Sequence, residues 1–292
     1  MKGSDYVKSN HSISNFNTSE SWIVLSDIEK SIKNKIEAVG TPLKDWNVQI
    51  NYGIKTGYND AFIINSDKRK EILSCCNDAV ERNRTAELIR PILRGRDIKR
   101  YGYDWADLWL INTHNGVKGK YPPVDINDYP SVKQHLDLYW SQIEKRDDKG
   151  VTPYNLRNCA YLDDFNKPKV LWKRVGSILR FSYDDTGKLG LDSTCFVTGA
   201  DVAYLCCVLN SPMGHFLLKD APKTGTGDLL ISVQAVEPIR IPLLNDSSEF
   251  TSFLERLISG ESNVECDINS RIYTLYNLSK EEIDYINNNY SK

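Results

Sequence analysis

Three isoleucines near the start of the chain recur at helical spacing. Ile28, Ile32 and Ile36 are four residues apart, so they lie on one face of a helix. The sequence SDIE at 26–29 has the serine and glutamate of a capping box, and Gly40 is a typical residue just beyond a helix end. The pattern therefore predicts an amphipathic helix from residue 26 to about residue 39.

The apolar spacing then changes from helical to alternating. NVQINY (47–52) and AFIIN (61–65) have strand spacing, and NYGIKTGYNDAF (51–62) is interpreted as the turn between them. Further helices are predicted at 66–90, 129–146, 201–209, from 212 onward, 248–259 and 267–290, the last broken by a second capping box at 279–282. Further strands are predicted at 107–113, 169–175 and 178–184, and the DDTG turn at 184–187 is interpreted as making a hairpin with 188–198.

This mixture of elements predicts the fold class. Strands and helices alternate without a strict βαβ order, which favours an α+β fold with a mixed or antiparallel sheet, flanking helices and a C-terminal helical segment. We interpret residues 1–20 as a tag or disordered arm, 21–244 as the main domain, and 245–292 as helices packed on it.

Composition narrows the class of protein. The 292 residues are 40% hydrophobic and 26% charged, as in an ordinary globular protein. No apolar run is long enough to span a membrane, and the N-terminus has no apolar signal core. The 7 cysteines include no C-x-x-C pair, which favours a reducing, cytoplasmic environment over a disulfide framework or a zinc site.

Charge is unevenly distributed along the chain. The formal net charge is −2, and residues 245–292 alone hold nine acids against four bases. Two basic stretches lie outside that segment, at 89–102 and 167–180, and each contains five bases against at most one acid. Such stretches bind a polyanion or form a solvated face, and composition alone does not decide between the two.

Searches for a catalytic centre give negative results. Lys55-Thr56 follows Gly53 too closely for a Walker A loop, the lysine of KTGTGD (223–228) precedes both glycines, and no G-x-G-x-x-G follows a strand. YPPV at 121–124 has neither the order nor the polar residue of the N-P-P-Y motif of amino-methylating enzymes. We therefore predict no catalytic residue and no bound cofactor.

Metal-dependent chemistry is equally unsupported by spacing. The four histidines are far apart in sequence, and none stands at ligand spacing from another. Asp163, Asp164 and Lys169 resemble part of a nuclease D…E-x-K site, but the glutamate is missing. We therefore predict no metal site.

The remaining candidates are binding residues. RGRDIKRY (94–101) places four bases close together, and arginine can form a paired contact with guanine or phosphate. Strand alternation in KVLWKRV (169–175) sends Trp172 and Arg174 to one face and Lys173 to the other.

Taken together, these landmarks resemble a known family. IEKSIKNKIEAVGTPLKDWNVQINYGIKTGYNDAFII, LIRPILRGRDIKRY, WLINTHNG, KPKVLWKRV, LDSTCFVTG, YLCCVLNSPMGHFLL, KTGTGD, VEPIRIPLL and the closing helices occur in the order seen in the TaqI-like C-terminal specificity domain. This is the target-recognition domain of adenine-specific DNA methyltransferases and type IIG restriction–modification enzymes. The resemblance extends over about residues 21–290.

The resemblance implies a function in double-stranded DNA recognition. The chain would be a non-enzymatic target-recognition domain, and an N-terminal methyltransferase domain, with or without a nuclease, would bind S-adenosylmethionine and carry out catalysis elsewhere in the parent protein. The residues implied to face DNA are Lys55, Thr56, Tyr58, Asn59, Arg94, Arg96, Lys99, Arg100, Lys173, Arg174, Arg180, Lys223, Thr224 and Thr226. Half of a type I specificity subunit, a nuclease and a protein-interaction module remain as alternatives.

Overall fold

The structure, a computed structural model, describes residues 25–291. The arm predicted at residues 1–20 lies outside this range. The helices are α1 Asp27–Val39, α2 Asn59–Phe62, α3 Ser66–Ser74, α4 Ala79–Leu88, α5 Pro130–Asp137, α6 Trp140–Ile143, α7 Val202–Asn210, α8 Pro212–Leu217, α9 Val233–Val236, α10 Ser248–Ile258, α11 Val264–Leu275 and α12 Lys280–Tyr290. The strands are β1 Thr41–Pro42, β2 Val48–Tyr52, β3 Ile63–Asn65, β4 Ile89–Leu93, β5 Leu108–Ile111, β6 Lys169–Lys173, β7 Val175–Gly176, β8 Phe181–Asp184, β9 Leu189–Gly190, β10 Thr194–Gly199, β11 Leu229–Leu230 and β12 Arg240–Ile241.

A four-stranded antiparallel sheet lies between two hydrophobic cores. Its order is β2-β10-β6-β8. Val170 and Trp172 contact the core formed with α7 and the C-terminal helices, whereas Leu171 and Phe196 contact the other core. Both faces of β6 and β10 are therefore buried, which explains why these two strands have near-continuous apolar runs and no polar face.

A second sheet lies in the other core. Its order is β3-β5-β4-β9, with antiparallel pairs except for the parallel pair β4–β9. Helices α3 to α6 belong to the same half of the protein, where Ile72, Leu88 and Leu136 pack into this core. Helices with antiparallel and mixed sheets confirm the α+β prediction.

The first and last helices of the described chain pack together. Ser26 and Glu29 form the predicted capping box of α1, and Ser279 with Glu282 forms that of α12. The Glu282 carboxylate also accepts hydrogen bonds from Lys35 at 2.6 Å and from Ser31 at 2.7 Å, both on α1. The C-terminal helices thus contact the start of the main domain; the domain boundary at residue 244 stays a prediction.

Four predictions of local structure were wrong. Residues 51–62 are not a turn within a hairpin, because β2 and β3 belong to different sheets and α2 intervenes. The helical patterns at 66–90 and 129–146 are each two helices, α3 with α4 and α5 with α6. The hairpin from 184 to 198 does not form, because β8 pairs with β6, β9 pairs with β4, and β10 pairs with β2 and β6.

Candidate nucleic-acid interface

The predicted DNA-facing segments leave the central sheet at one edge. Register pairs Tyr52 with Cys195, Lys173 with Thr194, and Trp172 with Phe181. The last residues of β2 and β6 are therefore level with the first residues of β8 and β10. Segments 53–59 and 173–180 both emerge at this end of the sheet.

The segment after β4 reaches the same edge through Ser193. The Gly95 amide donates to Ser193 Oγ at 3.0 Å, and the Arg174 amide donates to the Ser193 carbonyl at 3.0 Å. Segment 53–59 is attached to the same turn, because the Ile54 amide donates to the Gly190 carbonyl at 2.7 Å. The turn between β9 and β10 thus links three of the four predicted segments.

The fourth segment, 223–226, is attached through β11. Leu229 pairs with Gly176 and Leu230 with Val175, and Lys223 forms a bridge to Leu229. We call the four segments 53–59, 94–100, 173–180 and 223–226 together the loop edge. The structure therefore brings every predicted segment to one side of the molecule.

Four of the predicted cations already have an acidic partner. The pairs and their N···O distances are Lys55–Asp148 2.8 Å, Arg94–Asp97 2.8 Å, Lys99–Asp104 3.1 Å and Arg100–Glu265 2.8 Å. The other five are Arg96, Lys173, Arg174, Arg180 and Lys223, and none of them forms an ion pair with another residue in the 25–291 range. These five are consequently the cations of the loop edge that are available to an anionic ligand.

Three of the five available cations line one small cleft. These three are Arg96, Lys173 and Arg180. The volume of the cleft is about 170 Å³, and its other lining residues are Gly95, Ile98, Gly176, Ser177 and Ile178. No acidic side chain is among its lining residues. Grouped cations without a counter-charge favour binding of a polyanion.

Arg94 and Arg100 have structural contacts of their own. Both carboxylate oxygens of the buried Asp97 accept from the Arg94 guanidinium, and this hydrogen bonding raises the pKa of Arg94. Arg100 donates to the Asn210 carbonyl at 3.1 Å and to Glu265 on α11. Their DNA contacts stay predictions, and their guanidinium groups must share or exchange these partners to reach DNA.

The loop at 53–59 is built around a buried arginine that the sequence did not single out. Arg146 donates to the carbonyls of Thr56, Asp148, Pro153 and Asn155, and its guanidinium lies 4.4 Å from the centre of the Phe62 ring. Burial lowers the pKa of Arg146 to about 10. Arg146 stands in the charged run EKRDDKG (144–150), which has the pattern of a solvated face, so no sequence signal distinguishes it.

The polar residues of the loop edge differ in exposure. Thr56 is only 2% exposed and its hydroxyl donates to Asn59 Oδ1 at 2.6 Å, so it positions Asn59. Tyr58 packs against Tyr139, with 6.2 Å between ring centres. Of the predicted residues at 53–59, Lys55 and Asn59 are therefore the most accessible.

Thr224 and Thr226 lie together at the tip of the fourth segment. Their hydroxyl oxygens are 2.8 Å apart, and Thr226 Oγ1 also donates to Asp228 at 3.4 Å. Thr226 is exposed and Thr224 is half-buried, and hydroxyl groups can donate to phosphate oxygens.

The two glycines of this loop have different functions. Gly57 has φ +71°, as expected for a turn glycine. Gly53 does not have this conformation, since its φ is not positive. A Cβ atom at Gly53 would lie 1.9 Å from the Leu191 carbonyl oxygen, so a hydrogen atom is required there by close approach of two backbones.

Replacing Gly53 with alanine is therefore expected to destabilise the protein by about 1–3 kcal/mol or more, because the backbone next to β10 must shift. Urea unfolding measures the change. Gly225→Ala is the matched control, since a Cβ atom there has no neighbour within 4 Å. Equal stability of the two variants would contradict the close-approach argument.

The three residues compared with a nuclease site do not come together. Asp163 accepts from Lys120 at 2.7 Å, Asp164 from Lys167 at 2.7 Å, and Lys169 donates to Asp184 at 2.5 Å. Across residues 25–291, no cluster of three or more His, Cys, Asp or Glu side chains could hold a metal ion. Nor does this part of the chain contain a helix with the length and apolar character needed to cross a membrane.

Comparison with solved structures shows the fold. The type IIL restriction–modification enzyme MmeI in complex with DNA matches 87% of this chain with a TM-score of 0.58 and 10% sequence identity. The type IIG restriction endonuclease BpuSI matches 91% of it with a TM-score of 0.49 and 13% identity. This chain spans 36% and 34% of the length of those two chains. A search of curated proteins finds no sequence match.

Comparison with protein families confirms the resemblance stated from the sequence. The match covers residues 90–233, which contain three of the four segments of the loop edge. Residues 90–233 of this chain belong to the TaqI-like C-terminal specificity domain family.

Proposed function

We propose that this chain recognises double-stranded DNA as the specificity domain of a restriction–modification enzyme. Membership of residues 90–233 in the TaqI-like specificity family supports this function, as does the shared fold with MmeI, whose structure was determined with DNA. The observation that carries the proposal is the loop edge. Three of its four segments, far apart in sequence, place five unpaired cations on one side of a protein whose net charge is −2.

The arrangement separates two tasks in DNA binding. Lys173, Arg174 and Lys223 are exposed and suited to phosphate oxygens, which fix the position of a protein on the duplex. Arg96 and Arg180 line the cleft and have the planar guanidinium that can pair with guanine in the major groove. Base contacts from this set would supply the sequence preference.

The finer part of the proposal concerns the parent enzyme. Catalysis would come from an adenine-specific methyltransferase domain that binds S-adenosylmethionine and acts on an adenine rotated out of the duplex. The specificity domain would hold the other side of the DNA. An N-P-P-Y motif in the coding sequence upstream would support this assignment, whereas a second specificity domain joined by long spacer helices would favour a type I specificity subunit.

Binding of this chain to DNA is expected to be weak and strongly salt-dependent. Without a catalytic domain on the other side of the duplex, we expect a Kd in the non-specific range of about 10⁻⁴ to 10⁻⁶ M at physiological salt. Three phosphate contacts, from Lys173, Arg174 and Lys223, would give a slope of about −3 in a plot of log K against log salt concentration. Fluorescence anisotropy with a labelled mixed-sequence duplex, from 50 to 200 mM salt, measures both quantities.

Two results would overturn the proposal. Absence of binding at low salt would exclude DNA as a ligand of this surface, and binding independent of salt would exclude the cations as its basis. A stable complex with another protein and no affinity for DNA would instead favour the protein-interaction module.

A further inference from the structure

One exposed aliphatic side chain stands among the cations of the loop edge. Ile178 is 57% exposed and lies between Arg174 and Arg180 in the turn that joins β7 to β8. It lines the same cleft as Arg96 and Lys173. An apolar side chain surrounded by unpaired cations loses contact with water only when a ligand covers it.

The turn that carries Ile178 is fixed at both ends. On one side, the Arg174 amide donates to the Ser193 carbonyl at 3.0 Å and its carbonyl accepts from the Ile231 amide at 2.8 Å. On the other side, the Phe181 amide donates to the Asn210 side chain at 3.0 Å. The backbone on both sides of this turn is therefore fixed by hydrogen bonds to three other parts of the chain, which places Ile178 at the loop edge before a ligand arrives.

Position distinguishes Ile178 from the other exposed apolar residues. Within the described range, the remaining large hydrophobic side chains with high exposure are Val80, Leu138, Trp140, Val151, Leu243 and Ile258. All of them lie outside the four segments of the loop edge. Exposed aliphatic residues scattered singly over a surface are common, whereas one enclosed by cations faces the ligand that those cations attract.

We propose that Ile178 contacts DNA bases in the groove while Lys173 and Arg174 contact phosphates, an inference that rests on the proposed DNA-binding function. Apolar side chains on DNA-binding surfaces contact thymine methyl groups or press against a base step. The phosphates next to such a contact would be within reach of Lys173 and Arg174. Ile178 would then contribute an apolar base contact and no electrostatic contact.

If Ile178 makes an apolar contact, its replacement should change the affinity for DNA without changing the salt dependence of binding. Ile178→Ala removes three carbon atoms from the contact and is expected to weaken binding about tenfold. The slope of log K against log salt concentration should stay at the wild-type value, because no phosphate contact is lost. Ile178→Leu should restore most of the affinity, since it keeps the apolar volume.

The matched control is Ile258→Ala, which removes the same atoms from a residue that is 64% exposed on α10. We expect it to bind as the wild type does. Anisotropy over the salt series, with melting temperatures of all variants, provides the comparison. If Ile178→Ala has wild-type affinity, or weakens binding only together with a loss of slope, the inference fails while the proposed function stands.

A direct contact can be tested by photocrosslinking. A benzophenone amino acid at position 178 is expected to crosslink to a labelled duplex, and the same residue at position 258 is not. Crosslinking at neither position, with the wild type still binding DNA, would overturn the assignment of Ile178. Failure of the wild type to bind DNA in the same assay would instead overturn the proposed function on which it rests.

Discussion

Removal of three cations from the loop edge, in the variant R96A/K173A/R174A, is expected to weaken duplex binding about 10²–10³-fold at about 0.1 M salt. Each phosphate contact releases close to one counterion, so each lost contact costs about tenfold at this salt concentration. The slope of log K against log salt concentration should become less negative by about 2, because Lys173 and Arg174 each contact a phosphate, whereas loss of Arg96 removes a base contact. Fluorescence anisotropy over the salt series measures both effects.

The control variant carries the same loss of charge elsewhere. K44A/R82A/K280A removes three exposed cations that lie outside the loop edge and form no ion pair with residues 25–291. Lys44 lies just before β2 begins, at the opposite end of the central sheet. The control should retain most of the wild-type affinity and slope. Equal losses in the two triple variants would show that binding follows net charge and has no defined site.

The sequence identified which segments carry the charge, but not which charges are available. Arg94 and Arg96 are two residues apart in one basic stretch, yet the Asp97 carboxylate holds Arg94 and leaves Arg96 unpaired. Lys55 has its partner, Asp148, 93 positions away (148 − 55), and Arg100 has Glu265 on a C-terminal helix. Pairing across such separations depends on tertiary structure, so composition and spacing cannot predict it.

The errors in strand pairing have a similar cause. The alternation in 178–184 and 188–198 correctly indicated strands, and the turn residues between them favoured a hairpin. In the folded protein β6 lies between β8 and β10, and both faces of β6 are buried against the two cores. Local signals predict that a strand exists, whereas its partner is selected by burial of the whole sheet.

Gly53 is a single residue whose role also depends on a tertiary contact that local sequence signals do not predict. A glycine beside Lys-Thr has the pattern of a turn that needs positive φ, which Gly57 indeed has. Gly53 is required for another reason, the 1.9 Å approach that a Cβ atom would make to Leu191 O. That neighbour is 138 positions away (191 − 53), so sequence pattern alone could not supply the reason.

The largest effect on stability is expected at a buried ion pair at the far end of the central sheet. Lys169 on β6 and Asp184 on β8 are cross-strand partners, their charged groups are 2.5 Å apart, and neither side chain is exposed. Asp184 also accepts hydrogen bonds from Tyr103, Thr186 and the Lys188 amide. Burial alone would raise the pKa of Asp184, but the Lys169 ammonium and these donors hold it below its usual value.

Asp184→Asn is therefore expected to reduce the free energy of unfolding by about 3–5 kcal/mol, because it leaves the Lys169 ammonium buried without a counter-charge. Urea unfolding at pH 7 measures the loss. Asp164→Asn breaks the partly exposed pair with Lys167 and should cost no more than about 1 kcal/mol. Because the folded-state pKa of Asp184 is lowered, the pair stabilises the protein above pH ~4 and loses its contribution as pH falls through the folded-state pKa.

The double variant K169M/D184N tests the cause of this loss. It removes both charges, so it should be more stable than Asp184→Asn alone if an unpaired buried ammonium is what destabilises that variant. Lys169 and Asp184 pair at the end of β6–β8 opposite to Lys173 and Phe181, from which the loop edge extends. Folded molecules of all three variants should consequently bind duplex DNA with wild-type affinity and salt slope. A change of slope in Asp184→Asn would contradict this separation between the end of the sheet that stabilises the fold and the end that presents the cations.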